Sequence, residues 1–543
     1  MDKKHLGSMV RTGKQSLSSI IESCTTDYIG GLDMDNIPPV PVMVNELLED
    51  VAYKCSLENA TRAKEDRLKS PKSLNPYQIG ELVLAIYNIV YVKTDGILSK
   101  RDGGILAIYQ EDGVNAGLYV EDKAFIENII YSFNVDASTA NIKQTYCYIL
   151  NNAPMVAETR DQNIIAVNNG IYLFDKKKLI DFSPEYVFLS KIKYDYHDNV
   201  MSPIFTNEDG SIWDFDSWMD SLSPDKDVVR TLWELISAVL RPNVPFKKLV
   251  LLYNAEGNSG KGTLFSILEN LLGDAYLNAS LDELGQKFKL ENLPFVNVIL
   301  SHETRVGAYI DDLANVKALV THDTISIDRK YKTSISYRFR GIYTAAINEL
   351  PSVSDKSDSW YRRLLIIPMT NCFTGRENKD IKEVYLKDRE TLEYILYKAL
   401  NMDFYEFSIP KASEELMKKY KLYNDVTRTF LDEMLPKLTW QTFIPNQFLF
   451  DLYKSWYEKN VPNGKALGRN KFYDQVNNII SDFGWKVQET PYDTLPACAA
   501  PEPLICENNL VDWKNPTYTG GDTNKICTPS FENRSKMRGY VKA

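Results

Sequence analysis

Between Lys248 and Gly273 the chain reads KLVLLYNAEGNSGKGTLFSILENLLG: a short apolar run, a glycine-rich turn, then a segment with helical periodicity. An unbroken apolar run of this length is what a strand covered on both faces of a parallel sheet requires, so an α/β core is expected. In the turn, glycines let the backbone curl until successive N–H groups face an anion, and the helix that follows adds its partial positive charge. Lys261 is placed to reach the outer phosphates of a nucleotide. Gly257, Asn258, Ser259, Gly260, Lys261, Gly262 and Thr263 are therefore the expected nucleotide-binding residues, with ATP as the implied ligand. The match to the phosphate-loop pattern is imperfect. Ala255 stands at the first glycine position and Gly262 where a Mg²⁺-binding hydroxyl normally sits, which leaves Thr263 as the available hydroxyl.

Hydrolysis also needs a carboxylate at the end of a neighbouring strand. In FVNVILSHET, the apolar run from Phe295 to Leu300 ends near Glu303, which is expected to serve both Mg²⁺ and the attacking water. His302 replaces the frequent aspartate and suits a hydrogen-bonded structural role better than a Mg²⁺ site, because Mg²⁺ prefers oxygen. A third strand, GIYTAAINELP, ends at Asn348, a polar residue placed to orient water or sense the γ-phosphate. Arg362 and Arg363 precede the apolar LLIIPM; adjacent arginines there suit an anion, and Arg363 is favoured as a finger offered to a neighbouring subunit. Between these strands, KALVTHDTISIDRKYKTSISYRFRG alternates like a hairpin, with Arg329, Lys330 and Lys332 near its tip as candidate DNA-binding residues.

The chain has 543 residues and a formal net charge of −10, so a surface that coats nucleic acid throughout is excluded and any such contact must be local. A ring concentrates a few lysines per subunit in a channel, which reconciles an acidic exterior with a basic lining. There is no apolar span of membrane length and no secretion signal, so a cytoplasmic protein with no membrane contact is expected. The cysteines, at 24, 55, 147, 372, 498, 506 and 527, form no C-x-x-C pair and are odd in number; disulfides and a zinc ribbon are not expected.

Periodicity suggests four regions. Residues 1–150 read as mainly helical, including YQIGELVLAIYNIVYVK; residues 151–240 begin with short strands and an Asn169-Gly170 turn; residues 241–400 hold the phosphate loop; residues 401–543 return to helices and end in a loop-rich tail from about Gln488. Within the last region, Lys465, Arg469 and Lys471 open a possible recognition helix of a helix-turn-helix or winged-helix module.

Taken together, GNSGKGT, NVILSHE, THDTISIDRKYK, AAINELPSVSD and WYRRLLIIPM follow the order and spacing of the superfamily III helicases. The set resembles most closely the phage and plasmid primase-helicase family and its poxviral relatives, over residues 160 to 375 and more weakly at 445 to 486. The resemblance implies a multidomain α/β protein with an AAA+ core on a parallel sheet, a helical N-terminal region and a C-terminal helical or winged-helix module. It also implies a homo-hexamer with ATP and Mg²⁺ at its interfaces, moving 3′ to 5′ on single-stranded or forked DNA. The expected setting is a bacterial cell in which a phage, plasmid or integrated mobile element is replicated. Lys261, Glu303, Asn348, Arg363, Lys330 and Lys332 match the family's functional positions. Residues 1–150 carry no trusted primase centre, so no priming is expected there; oligomerisation, or recruitment of a primase, a polymerase or an origin, fits better. Two other readings stay open: an origin-binding initiator switched by ATP, and an AAA+ protein remodeller without unwinding.

Overall fold

The computed structural model describes residues 14–94, 103–281, 283–284, 286, 288–302, 309–310, 313–353, 357–460, 466–529 and 536–543. These divide into two compact units, one within Met1–Pro351 and Arg363–Pro410, the other within Ser352–Arg362 and Lys411–Ala543.

The first unit begins with helices Leu17–Gly30, Val40–Asn59 and Pro76–Ile86, followed later by Lys123–Phe133 and Thr139–Asn152. Their apolar stripes meet in one core that includes Leu47, Val51, Leu82, Ile126, Ile130 and Ile149. The region is less helical than its periodicity suggests. Asn75 and Gln78 form a capping box that starts Pro76–Ile86, but the helix stops there and Ile89–Lys93 is a strand. The β-branched Ile89, Val90 and Val92 favour a pleated, buried surface over another helical turn. That strand lies between Ile105–Tyr109 and Met155–Ala157 in a four-stranded sheet.

Ile164–Val167, Gly170–Leu173 and Lys178–Ile180 then form an antiparallel meander. Because Val167 pairs with Gly170, the turn residues are Asn168 and Asn169, not Asn169 and Gly170. Their amides are held by Asp195 Oδ1 at 2.8 Å and the Tyr196 carbonyl at 3.0 Å. Helix Lys226–Val239 is buried on nearly every face and ends before Arg241-Pro242, as proline geometry demands.

The functional platform is a five-stranded parallel sheet. Its spatial order is Tyr276–Asn278, Val298–Ser301, Ile342–Ile347, Leu249–Tyr253, Leu364–Pro368. The central three strands are buried along almost their whole length, which is why they read as unbroken apolar runs.

The second unit holds helices Lys411–Asn424, Val426–Met434, Asn446–Asn460 and Arg469–Ile479. A three-stranded antiparallel sheet places Lys536–Lys542 between Phe443–Pro445 and Trp485–Asp493. The tail is thus more ordered than expected: Trp485–Asp493 runs through its proline-rich start, and the chain end supplies a central strand anchored by buried Tyr540. Arg469 and Lys471 are exposed, while Lys465 lies outside the described residues. The expectation of unpaired cysteines fails at one pair, because Cys506, in helix Pro503–Glu507, is bonded to Cys527, which caps helix Thr523–Ile526; the two lie 21 positions apart, a proximity that spacing does not encode. Among the described residues, no helix is long and apolar enough to cross a membrane.

Candidate nucleotide-binding site

The phosphate loop joins strand Leu249–Tyr253 to helix Lys261–Leu272, which begins two residues before Thr263. Gly257 and Gly260 have φ of 80° and 88°, and Asn258 has 45°. This left-handed run is what curls the loop back on itself. A Cβ at Gly260 would lie 2.7 Å from Leu222 Cδ2, whereas one at Gly262 would meet nothing within 4 Å. The loop is also pinned from outside. Phe373 N donates to Asn258 O at 2.9 Å, and Asn258 Nδ2 donates to Glu377 Oε1 at 2.8 Å.

Lys261 is 8% exposed, and burial lowers its pKa from the ordinary lysine value. Its ammonium donates to Asn348 Oδ1 at 2.8 Å and to Asn254 O and Ser259 Oγ at 3.4 Å each. These acceptors are neutral, so the charge is held in place without being cancelled, which is the condition for attracting an anion.

Asn348 reaches Lys261 because of sheet register. Tyr253 pairs with Ile347 and with Pro368, so Asn254 and Asn348 leave adjacent strands at the same carboxyl edge. One strand further along, Ser301 pairs with Ala345, and His302 follows at that edge. Its Nε2 lies 2.7 Å from Glu269 Oε1 on the phosphate-loop helix, and its ring stands edge-on to Phe265. His302 therefore has the hydrogen-bonded role expected of it. Glu303 lies outside the described residues.

The arginines lie elsewhere. Leu249 N donates to Arg363 O at 2.7 Å, which puts half-buried Arg363 at the amino edge of the sheet. A five-residue strand, about 17 Å long, separates that edge from the phosphate loop, so Arg363 is not gathered with Lys261 in the same chain. Arg362, in the second unit, is exposed and caps the short helix Asp358–Tyr361.

The hairpin forms as its alternation predicts, Ile325–Ile327 pairing antiparallel with Ile335–Tyr337. Its three basic residues differ in environment. Lys330 and Lys332 are exposed, but Arg329 is only 6% exposed, and its Nη2 donates to both Glu121 carboxylate oxygens at 2.6 and 2.5 Å. The expectation that Arg329 faces outward with the two lysines is thus corrected: its guanidinium is buried and its charge is already met by Glu121. Between the lysines, Tyr331 is 95% exposed with φ 60°.

Three family models match in chain order. One, described as D5 N terminal like, covers residues 88–224; a family of unknown function (DUF5906) covers 252–363; and a poxvirus D5 protein-like model covers 422–509. Over its first and third matched segments the chain is similar to the poxvirus D5-like proteins.

A protein of Acanthamoeba polyphaga mimivirus named as a candidate helicase is 22% identical to this chain over 236 residues, 40% of this chain and 23% of that protein. The chain thus spans about a quarter of that relative. The A-form apo structure of the NrS-1 C-terminal region superposes with a TM-score of 0.44 at 12% identity, over 87% of this chain and 100% of that one. A second apo structure of the same region gives 0.44 at 11% over the same shares. Likeness this loose carries no argument about mechanism.

The fold adds residues that no motif announces. A cavity of about 370 Å³ opens beside the phosphate loop, bordered by Gly260, Thr263, Trp213, Trp218, Phe373 and Arg376. Trp213 and Trp218 come from the segment matched by the D5 N terminal like model, nearly 40 positions before the loop, so only folding brings these aromatic walls beside the loop. Glu121 is of the same kind: it is an ordinary acidic residue until the fold sets it against Arg329.

Proposed function

We propose that this chain is an ATP-dependent DNA helicase motor with an AAA+ core, acting on single-stranded or forked DNA as a ring, in the expected case a homo-hexamer moving 3′ to 5′. The observation that carries this reading is the Lys261 ammonium, buried in a left-handed glycine loop and hydrogen-bonded to Asn348 across two parallel strands. Loop N–H groups, the helix N-terminus and Lys261 would take the triphosphate, and the aromatic cavity has room for the nucleoside. Thr263, on the cavity wall, is the hydroxyl available to Mg²⁺, with Glu303 as the sequence-based carboxylate partner. The bound metal would draw charge from the phosphates; Lys261 neutralises the same oxygens, and Asn348 positions the lysine or a water.

Arg363, at the opposite sheet edge from its own phosphate loop, suits delivery to a neighbouring subunit's nucleotide and so favours a ring. Lys330 and Lys332 on the hairpin would grip a phosphate backbone, and Tyr331 offers a face for base stacking. The replication of a phage, plasmid or other mobile element, with a primase, polymerase or origin-binding partner, is the biological setting this reading fits. The exposed aromatic tip at Tyr331 also favours a second reading, a remodeller that threads polypeptide. Measuring ATP turnover with and without oligo(dT), then strand separation on a fork, decides between them. Stimulation by oligo(dT) with unwinding is expected; turnover indifferent to DNA but raised by unfolded polypeptide would replace the helicase reading.

A further inference from the structure

Glu121 meets two of the hairpin's cations at once. Arg329 occupies both carboxylate oxygens, and Lys332 Nζ shares Oε1 at 3.0 Å. The two contacts are unequal. The Arg329 side chain is 4% exposed and also donates to Gly104 O at 3.3 Å, whereas the Lys332 side chain is 48% exposed and, among the described residues, has this one ion pair. A buried ion pair is held firmly because separating it strands a charge; a half-exposed lysine contact is worth little and exchanges readily. The trio carries one negative charge against two positive ones. Of the other acidic groups in the hairpin's hydrogen bonds, Glu291 accepts the Lys330 backbone N–H and Asp328 accepts Ser334 Oγ; among the described residues neither forms an ion pair with Lys332. Gly103, with φ 91°, lies against this root, where a Cβ would be 2.7 Å from Ser334 O.

We propose that Glu121 is a positioning residue for the hairpin: it keeps Arg329 as a fixed anchor and holds Lys332 as an exchangeable cation that passes to a nucleic-acid phosphate when a strand engages. The proposal rests on the hairpin reading above and adds that the D5 N-terminal-like segment, through this one carboxylate, sets how readily the hairpin grips.

The test is oligo(dT) binding by the full chain across a salt series, for wild type, Glu121→Gln, Lys332→Ala and the double variant. Glutamine retains an acceptor for Arg329 but no charge for Lys332. Expected for Glu121→Gln is about threefold tighter binding, with the salt slope unchanged. Lys332→Ala is expected to reduce the slope by about 0.7, the share of one single-strand phosphate, and to erase the gain in the double variant. Weaker binding by Glu121→Gln, a gain that survives Lys332→Ala, or an unchanged slope in Lys332→Ala would overturn the proposal. Acetylation of the Lys332 amine reads the same contact without DNA. Faster labelling in Glu121→Gln, suppressed by no other change in the protein's melting, supports the exchangeable pair, and equal labelling overturns it. If neither wild type nor variant binds oligo(dT), the hairpin reading fails while the labelling result still judges the role of Glu121.

Discussion

Lys261 Nζ donates to Asn348 Oδ1 at 2.8 Å, although 87 positions separate the two residues. The contact ties the glycine-rich loop to the end of a second strand, so the loop lysine is held in a fixed direction; on the proposed function this would aim it at a nucleotide. Removing each partner should have a different result. Lys261→Ala is expected to abolish ATP hydrolysis and weaken nucleotide binding while leaving the melting temperature nearly unchanged. Asn348→Ala is expected to keep most nucleotide affinity and lower turnover at least tenfold. Equal effects of the two variants on binding and on turnover would remove the division of roles.

The two central glycines of the loop make a paired test. Gly260 is left-handed and its missing Cβ is aimed at Leu222, so Gly260→Ala should cost about 1–2 kcal/mol in backbone strain and displace the loop. Gly262 is helical and opens on free space, so Gly262→Ala should be neutral or up to about 1 kcal/mol stabilising. Nucleotide binding by fluorescence titration, read beside thermal melts, checks both. A Gly260→Ala protein that binds nucleotide normally contradicts the loop geometry.

Arg363 offers a test of assembly. If it serves a neighbour, Arg363→Ala should lose hydrolysis while still binding nucleotide, and mixing it with Lys261→Ala subunits should restore part of the activity. The mixed interfaces would then pair an intact loop with an intact arginine. Absence of rescue over a range of mixing ratios argues against Arg363 acting between subunits.

His322 predicts a pH dependence of stability. It caps helix Ala314–Thr321 in a left-handed conformation, and burial, with Arg340, Lys247 and Arg338 adding to it, lowers its pKa from 6.5 to about 4. Neutral in the folded chain and protonated in the unfolded one below pH 6.5, it stabilises the fold above that pH, and the contribution is lost as pH falls towards 4. The loss is on the order of 3 kcal/mol at most. His322→Asn, which tolerates the same backbone, should flatten denaturation midpoints across this window. An unchanged pH profile would show that His322 does not titrate there.

The Cys506–Cys527 bond closes a loop whose ends are 21 positions apart, a constraint worth about 3 kcal/mol against the unfolded chain. Replacing both cysteines with serine should lower the melting temperature of the second unit, and added reductant should reproduce the shift in wild type only. Identical melting of the reduced and oxidised wild type would dismiss the bond as a stabiliser.

Much of the platform was legible in the sequence because its signals are local. Leu249–Tyr253 and Ile342–Ile347 are apolar without interruption since both faces are covered, the glycine turn declares its own backbone, and the hairpin alternates with period two. The strand at Ile89–Lys93 was misread because YNIVYV also fits a helical stripe; tertiary pairing with Ile105–Tyr109 and Met155–Ala157 decided it. The chain-terminal strand Lys536–Lys542 was missed because a short run of mixed polarity becomes a strand only when two others flank it.

Local pattern alone carried the glycine-rich turn between a buried strand and a helix, and the basic hairpin between two further strands, because both depend on neighbours a few residues apart. Folding alone decided that Asn348 meets Lys261, that Trp213 and Trp218 wall the cavity beside the loop, and that Arg329 turns inward to Glu121 instead of outward to solvent. Those outcomes depend on sheet register and on charges brought together from distant segments, and no local pattern of residues carries that information.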